Sequence, residues 1–157
     1  MEKHTYKKAD HGDLGLLTEL RVEVLRAANR LPETTDMEAV RQTSVAYYRN
    51  SLSDDSHVTF LVYDHEESVL GCGGISFYQV LPTYHNPSGR KAYIMNIYTR
   101  PGSRKQGVGK TVLNLLVEEA RHRGITQIGL ETTDMGRSLY LNNGFVPCLS
   151  ELEFRGL

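Results

Sequence analysis

The chain has 157 residues, a formal net charge of -1, and 39% hydrophobic against 24% charged residues. That length suits a single domain, residues 1–157, with a core of its own, and the near-neutral charge argues against a general nucleic-acid binder, which carries a basic excess. No apolar run reaches membrane-spanning length and MEKHTYKKAD lacks a hydrophobic signal core, so a cytoplasmic protein with neither membrane nor nucleic acid as partner is expected.

In chain order, HTYKK (His4 to Lys8) predicts a short first strand, after which Asp10 or Asp13 caps a helix. Leu16, Leu17, Leu20, Val24 and Ala28 recur at helical spacing, giving a surface helix over Leu14 to Ala28 with one buried stripe. NRLPETT breaks it. A second helix is expected from Asp36, as N-cap, through Tyr47 and Tyr48 toward Ser51. VTFLVYD from Val58, a polar turn HEES, and Val69 to Val80 read as a pair of strands. GCGG, Gly71 to Gly74, weakens a free strand and suits either a close approach by backbone or ligand or a bulge. Leu81 to Lys91 is a loop long enough for either a solvated connection or a functional role.

The strand Ala92 to Thr99 leads into a turn rich in glycine and base, then into a helix with Val108, Val112, Leu113, Leu116, Val117 and Ala120 on one side and Gly124 as its stop. ITQIGLETT follows as a parallel strand, Asp134 to Asn143 as a short helix, and FVPCLSELEF as two short terminal strands at best. One mixed sheet with helices on both faces accommodates every element. Cys72 and Cys148 form no Cys-x-x-Cys and read as small buried apolar residues; the histidines show no ligand spacing, so no metal is expected.

The turn carries the chemistry. Gly107 and Gly109 have no side chains to block a ligand, the first helical turn has unpaired N–H donors, and Arg104, Lys105 and Lys110 add positive charge, which together suit a pyrophosphate. Arg90, Lys91 and Arg100 extend the local basic cluster. A P-loop needs glycine where Arg104 stands, and a dinucleotide fingerprint needs its third glycine where Val112 stands, so neither pattern holds. What remains, Arg104-x-x-Gly107-x-Gly109 between a strand and a helix, resembles the acetyl-CoA-binding motif of the GNAT superfamily of N-acetyltransferases. GRSLYLNNGF resembles the closing helix and strand of that family, with Tyr140, Gly144 and Phe145 in the matching positions. The resemblance is tight over Ala92 to Val146 and architectural before it.

The resemblance implies a GNAT-like α/β fold with a mixed central sheet of about six to seven strands. It also implies an acetyl-CoA co-substrate held by Arg104, Lys105, Gln106, Gly107, Val108, Gly109 and Lys110, and by the backbone of Ile97, Tyr98 and Thr99 along the pantetheine arm. Acetyl transfer to a primary amine of a small molecule or peptide then follows, with Tyr140 as acid toward the leaving thiolate. No carboxylate or histidine stands on the fourth strand. Asn96 can orient an amine or a water, and Glu131 is a base through water or else an acceptor for a backbone group or Arg104. Thr133 stands near the position where many members carry an asparagine. Tyr84, His85 and Arg90 are either substrate contacts, because the loop before the fourth strand can border the acceptor in this fold, or part of a solvated connection. A homodimer is left open, and a non-catalytic acyl-CoA-binding or sensing module is the alternative to an enzyme.

Overall fold

In the computed structural model, which describes residues 4–156, five strands form one sheet in the order β1-β2-β3-β4-β5. β1 (Thr5–Lys8), β2 (His57–Tyr63), β3 (Val69–Gln79) and β4 (Arg90–Thr99) pair antiparallel in sequence, and β5 (Gln127–Leu130) lies parallel to β4. The parallel pair requires a crossover, and α3 (Val108–His122) supplies it. The expected six to seven strands are therefore five. FVPCLSELEF forms neither expected strand: two strands there would need a turn between them, the stretch offers no glycine or asparagine for one, and Pro147 has no N–H for a ladder. Val146, Leu149, Leu152 and Phe154 are accordingly exposed, and so is Cys148, contrary to the expectation that both cysteines are buried; Cys72 is buried.

α1 (Leu14–Asn29) and α2 (Glu38–Ser53) cover one face of the sheet, α3 and the short α4 (Arg137–Leu141) the other. Asp10 accepts from the Gly12 N–H and Asp13 accepts from the Asp10 N–H, each at 2.8 Å, a reciprocal cap on the turn that feeds α1. Asp36 accepts from the Glu38 N–H at 2.9 Å where α2 begins. On the first face Leu17, Leu20 and Val24 pack on Tyr48, Leu61 and Cys72. On the second, Val108, Val112, Leu113, Leu116 and Ala120 pack on Val58, Val62, Ile75, Ala92 and Ile94. Among the described residues, no helix is long and apolar enough to cross a membrane.

The glycines of β3 mark close approaches. A Cβ at Gly71 would collide with the Tyr98 carbonyl oxygen, and one at Gly73 with the Val112 side chain of α3. At Gly74 it would lie 2.8 Å from the ring of His57, a buried histidine whose Nδ1 is 3.0 Å from both the Tyr47 hydroxyl and Ser76 Oγ, and whose Nε2 is 2.9 Å from Thr59 Oγ1.

Gly73→Val is expected to lower unfolding stability by about 1–3 kcal/mol in denaturant titration, because the added methyls force α3 away from the sheet. Burial, reinforced by the Arg21 charge, pushes the His57 imidazole from 6.5 down to about 4. The folded state thus resists a proton that the unfolded chain accepts. Stability from this group is complete above pH 6.5 and falls by about 3 kcal/mol as pH drops toward 4. Comparing stability at pH 7 and pH 4.5 in the wild type and His57→Gln checks this, with a shallower loss expected in the variant.

Candidate active site: the cleft between β4 and β5

β4 and β5 pair only from Lys91↔Gln127 to Ile94↔Leu130. Past that point a bulge redirects β4: Cys72 faces Tyr98 and Gly74 faces Met95, leaving Gly73 opposite both Asn96 and Ile97. Asn96 has φ +64°, the left-handed region that asparagine tolerates better than most residues. The strands then part around a cavity of about 760 Å³. Ile97, Tyr98 and Thr99 line one side of it, and Val24, Ala27, Ala28 and Arg30 from the end of α1 another. Arg104 and Gly109 come from the turn, and Thr132 to Gly136, Leu139 and Tyr140 from the chain after β5.

The turn has the form expected of an anion cradle. Lys105 and Gly107 both have positive φ, +60° and +82°, and Gly107 is the N-cap of α3 with no side chain bonded over the helix end. The first-turn N–H groups therefore point toward open space at the positive end of the helix dipole. Arg104 Nε donates to the Thr99 carbonyl at 3.2 Å, tying the turn to the splayed strand. Lys105, Gln106 and Lys110 are exposed around it. Val108 has its side chain in the core, 1% exposed, so only its backbone is available to a ligand. Gly109 leaves a passage: a Cβ there would meet Leu139 Cδ2 at 3.4 Å and Thr99 Oγ1 at 3.8 Å.

Tyr140 is half-buried in the cleft wall, edge-on to Phe145 with ring centroids 5.9 Å apart. Burial raises its phenol pKa, so the O–H is retained at neutral pH. The Asn143 and Phe145 N–H groups both donate to the Tyr140 carbonyl, and Gly144 takes φ +91°, which ends α4 and holds this tyrosine in register.

Other candidates lie elsewhere. Asn96 and Glu131 do not line the cleft. The Asn96 side chain accepts from Arg21 Nη1 at 3.0 Å on the α1 face. Glu131 is exposed just beyond β5, where it bears on the Tyr93 phenol, whose pKa is raised first by burial and then by this carboxylate. Arg100 is occupied by a two-pronged pair with Glu23 at 2.9 and 3.0 Å. Arg90 is at the start of β4, and Tyr84 and His85 lie in the loop before it, at the opposite end of a strand of about 30 Å. Tyr84 is 92% exposed and Arg90 donates to the Arg123 carbonyl, so they and Lys91 are not part of the cleft's surroundings. That loop is organised by its own buried Asn86, whose amide donates to the Arg90 carbonyl and to Gln127.

The model of the Acetyltransferase (GNAT) family matches residues 23–145 of the chain. The chain belongs to the GNAT family. It is 32% identical over 107 residues to rat N-acetyltransferase 8B, a match that takes in 66% of this chain and 46% of that protein, so the chain spans under half the length of the curated relative. A predicted acetyltransferase from Clostridium acetobutylicum, crystallised with acetyl-CoA, superposes with TM-score 0.88 at 32% identity over 96% of this chain and 95% of that one. A GCN5-related N-acetyltransferase from Ralstonia eutropha has the same fold, with TM-score 0.82 at 23% identity over 96% and 97% of the two chains.

For this GNAT chain, sequence reasoning singled out Thr133 and Tyr140 in the wall after β5 and left the other residues of that wall, and the individual residues of α1, unmarked. Val24 and Ala28 are visible in sequence only as a buried helical stripe, and nothing local in Thr132, in Asp134 to Gly136 or in Leu139 marks them as lining. Thr133, which stands where many members of the family carry an asparagine, does line the cleft, and its Oγ1 accepts from the Gly136 N–H at 3.3 Å. Gly109→Val is expected to weaken CoA binding by at least about 10-fold in calorimetric titration, with the thermal midpoint within a few degrees of wild type, because the added methyls narrow the passage beside Leu139.

Proposed function

We propose that the chain transfers an acetyl group from acetyl-CoA directly to a primary amine of a small molecule or peptide. The observation that carries this reading is the continuity of one cleft: an uncapped helix N-terminus in a basic turn at one end, the unpaired edge of β4 along the floor, and a protonated tyrosine in the wall. The free N–H groups between Arg104 and Lys110, with the Arg104, Lys105 and Lys110 charges and Gln106 beside them, are suited to the pyrophosphate of the co-substrate. Gly107, Val108 and Gly109 contribute backbone only.

Ile97, Tyr98 and Thr99 have no β5 partner, so their outward backbone groups are free to hold the pantetheine arm and to direct an N–H at the thioester oxygen. A preorganised donor there lowers the barrier by about 3 kcal/mol as negative charge develops. The acceptor attacks as a neutral amine; a C–N bond forms and the C–S bond breaks. Tyr140 gives its phenolic proton to the departing sulfur and is reprotonated from solvent. The surplus amine proton leaves to water at the open mouth.

Release of free thiol from acetyl-CoA across a panel of primary amines tests the reading. Tyr140→Phe is expected to reduce kcat by about 100-fold or more while CoA affinity changes less than about threefold, since the ring's packing on Phe145 is kept. Tight CoA binding with no thiol release from any amine in the panel would overturn the enzyme reading in favour of an acyl-CoA-binding module.

A further inference from the structure

The bulge at Asn96 receives only weak, sulfur-mediated support from its own sheet. Its partner on β3 is Gly73, which has no side chain to brace it because Val112 of α3 occupies that space. The Asn96 backbone is left-handed, and its carbonyl meets the Cys72 thiol, a weak donor, at 3.5 Å. Cys72 is 1% exposed and burial pushes its thiol up to about 12, so the S–H is retained. The Asn96 side-chain amide in turn donates to Cys72 Sγ at 3.9 Å, and its shorter contact comes from α1: Arg21 Nη1 donates to Asn96 Oδ1 at 3.0 Å across 75 positions of sequence. Two residues further along the same helix, Glu23 grips Arg100 just past the end of β4. The splayed segment from Asn96 to Arg100 is thus tied to α1 at both ends.

We propose that Arg21 is a positioning residue for acetyl transfer: by holding the Asn96 side chain it fixes the β4 bulge and thereby the direction in which Ile97, Tyr98 and Thr99 face the cleft. This rests on the acetyltransferase reading above. Arg21 is not among the residues lining the cleft. Its guanidinium bears instead on Tyr48, Cys72 and His57, which puts it between α1, α2 and the sheet. It acts through Asn96, and a planar donor fixed in a half-buried site is a stiffer brace than a solvated one. Asn96 has a corresponding task. It supplies a left-handed residue whose side chain can be gripped, rather than a group that touches the amine.

Arg21→Ala, Arg21→Lys, Asn96→Gly and the double variant Arg21→Ala with Asn96→Gly separate this from a merely structural role. Arg21→Ala is expected to lower kcat by about 10-fold or more, with the acetyl-CoA KM within about threefold of wild type because the turn at Gly107 to Lys110 is untouched. Arg21→Lys, which keeps one donor, restores most of the loss. Asn96→Gly takes the left-handed conformation freely but offers nothing to grip, so Arg21→Ala adds no further loss in that background. Amide 1H–15N resonances of Ile97, Tyr98 and Thr99 shift in Arg21→Ala, whereas those of Gly107 to Lys110 stay in place. Unchanged kcat together with unchanged resonances, or fully additive losses in the double variant, would overturn the proposal. If the wild type itself releases no thiol, the acetyltransferase reading fails, and the resonances alone still decide whether Arg21 sets the bulge.

Discussion

One extra residue in β4 is the constraint on which the site depends. A regular strand would continue its pairing with β5 and leave no edge free. With Asn96 and Ile97 both opposite Gly73, the strand bends away, and β4 and β5 part after Leu130. The unpaired backbone that results would be a liability in a sheet centre, since polar groups cut off from partners are costly. Here it faces a cleft, where a ligand or water can satisfy it.

The turn from Arg104 to Lys110 depends on the core in a different way. Val108 and Val112 begin the apolar stripe of α3, both almost fully buried, and burial of side chains of this kind contributes about 1.5–3 kcal/mol each. That stripe fixes the rotation of α3 about its axis and so the direction in which its first N–H groups point. Gly107, at positive φ, lets the chain enter the helix at that angle, and no side chain closes the helix end. Packing on the sheet face thus sets where the N-terminal end of α3, with its free backbone donors, is held. The Arg104 bond to the Thr99 carbonyl then couples the turn to the bulged strand.

Charged groups are distributed in keeping with this division. Arg100, adjacent to the cleft, is neutralised by Glu23 and serves to fasten α1, while Arg104, Lys105 and Lys110 remain on the side where an anion would enter. Sequence proximity had grouped Arg90, Lys91 and Arg100 with them. A strand is a long element, however, and residues at its two ends are about 30 Å apart however close they are in number.

The amino-acid sequence by itself determined the elements and their order, because periodicity, caps and glycine stops are local: α1, α2, α3 and β1 to β4 form close to where the pattern of residues expects them, and β5 forms over Gln127–Leu130, the middle of the longer stretch ITQIGLETT expected as a strand. The turn from Arg104 to Lys110 and the short helix that carries Tyr140 were legible for the same reason, since each is a short run with local turn and helix signals. Tertiary structure alone decided the rest. Whether Asn96 faces an amine or grips Arg21 depends on a helix 75 positions away. Glu131 is excluded from the cleft by the point at which β5 stops pairing, and the loop of Tyr84 and His85 by the direction in which β4 runs. Each is a matter of which distant surfaces meet, and composition and spacing along a chain hold no record of that until the core has packed.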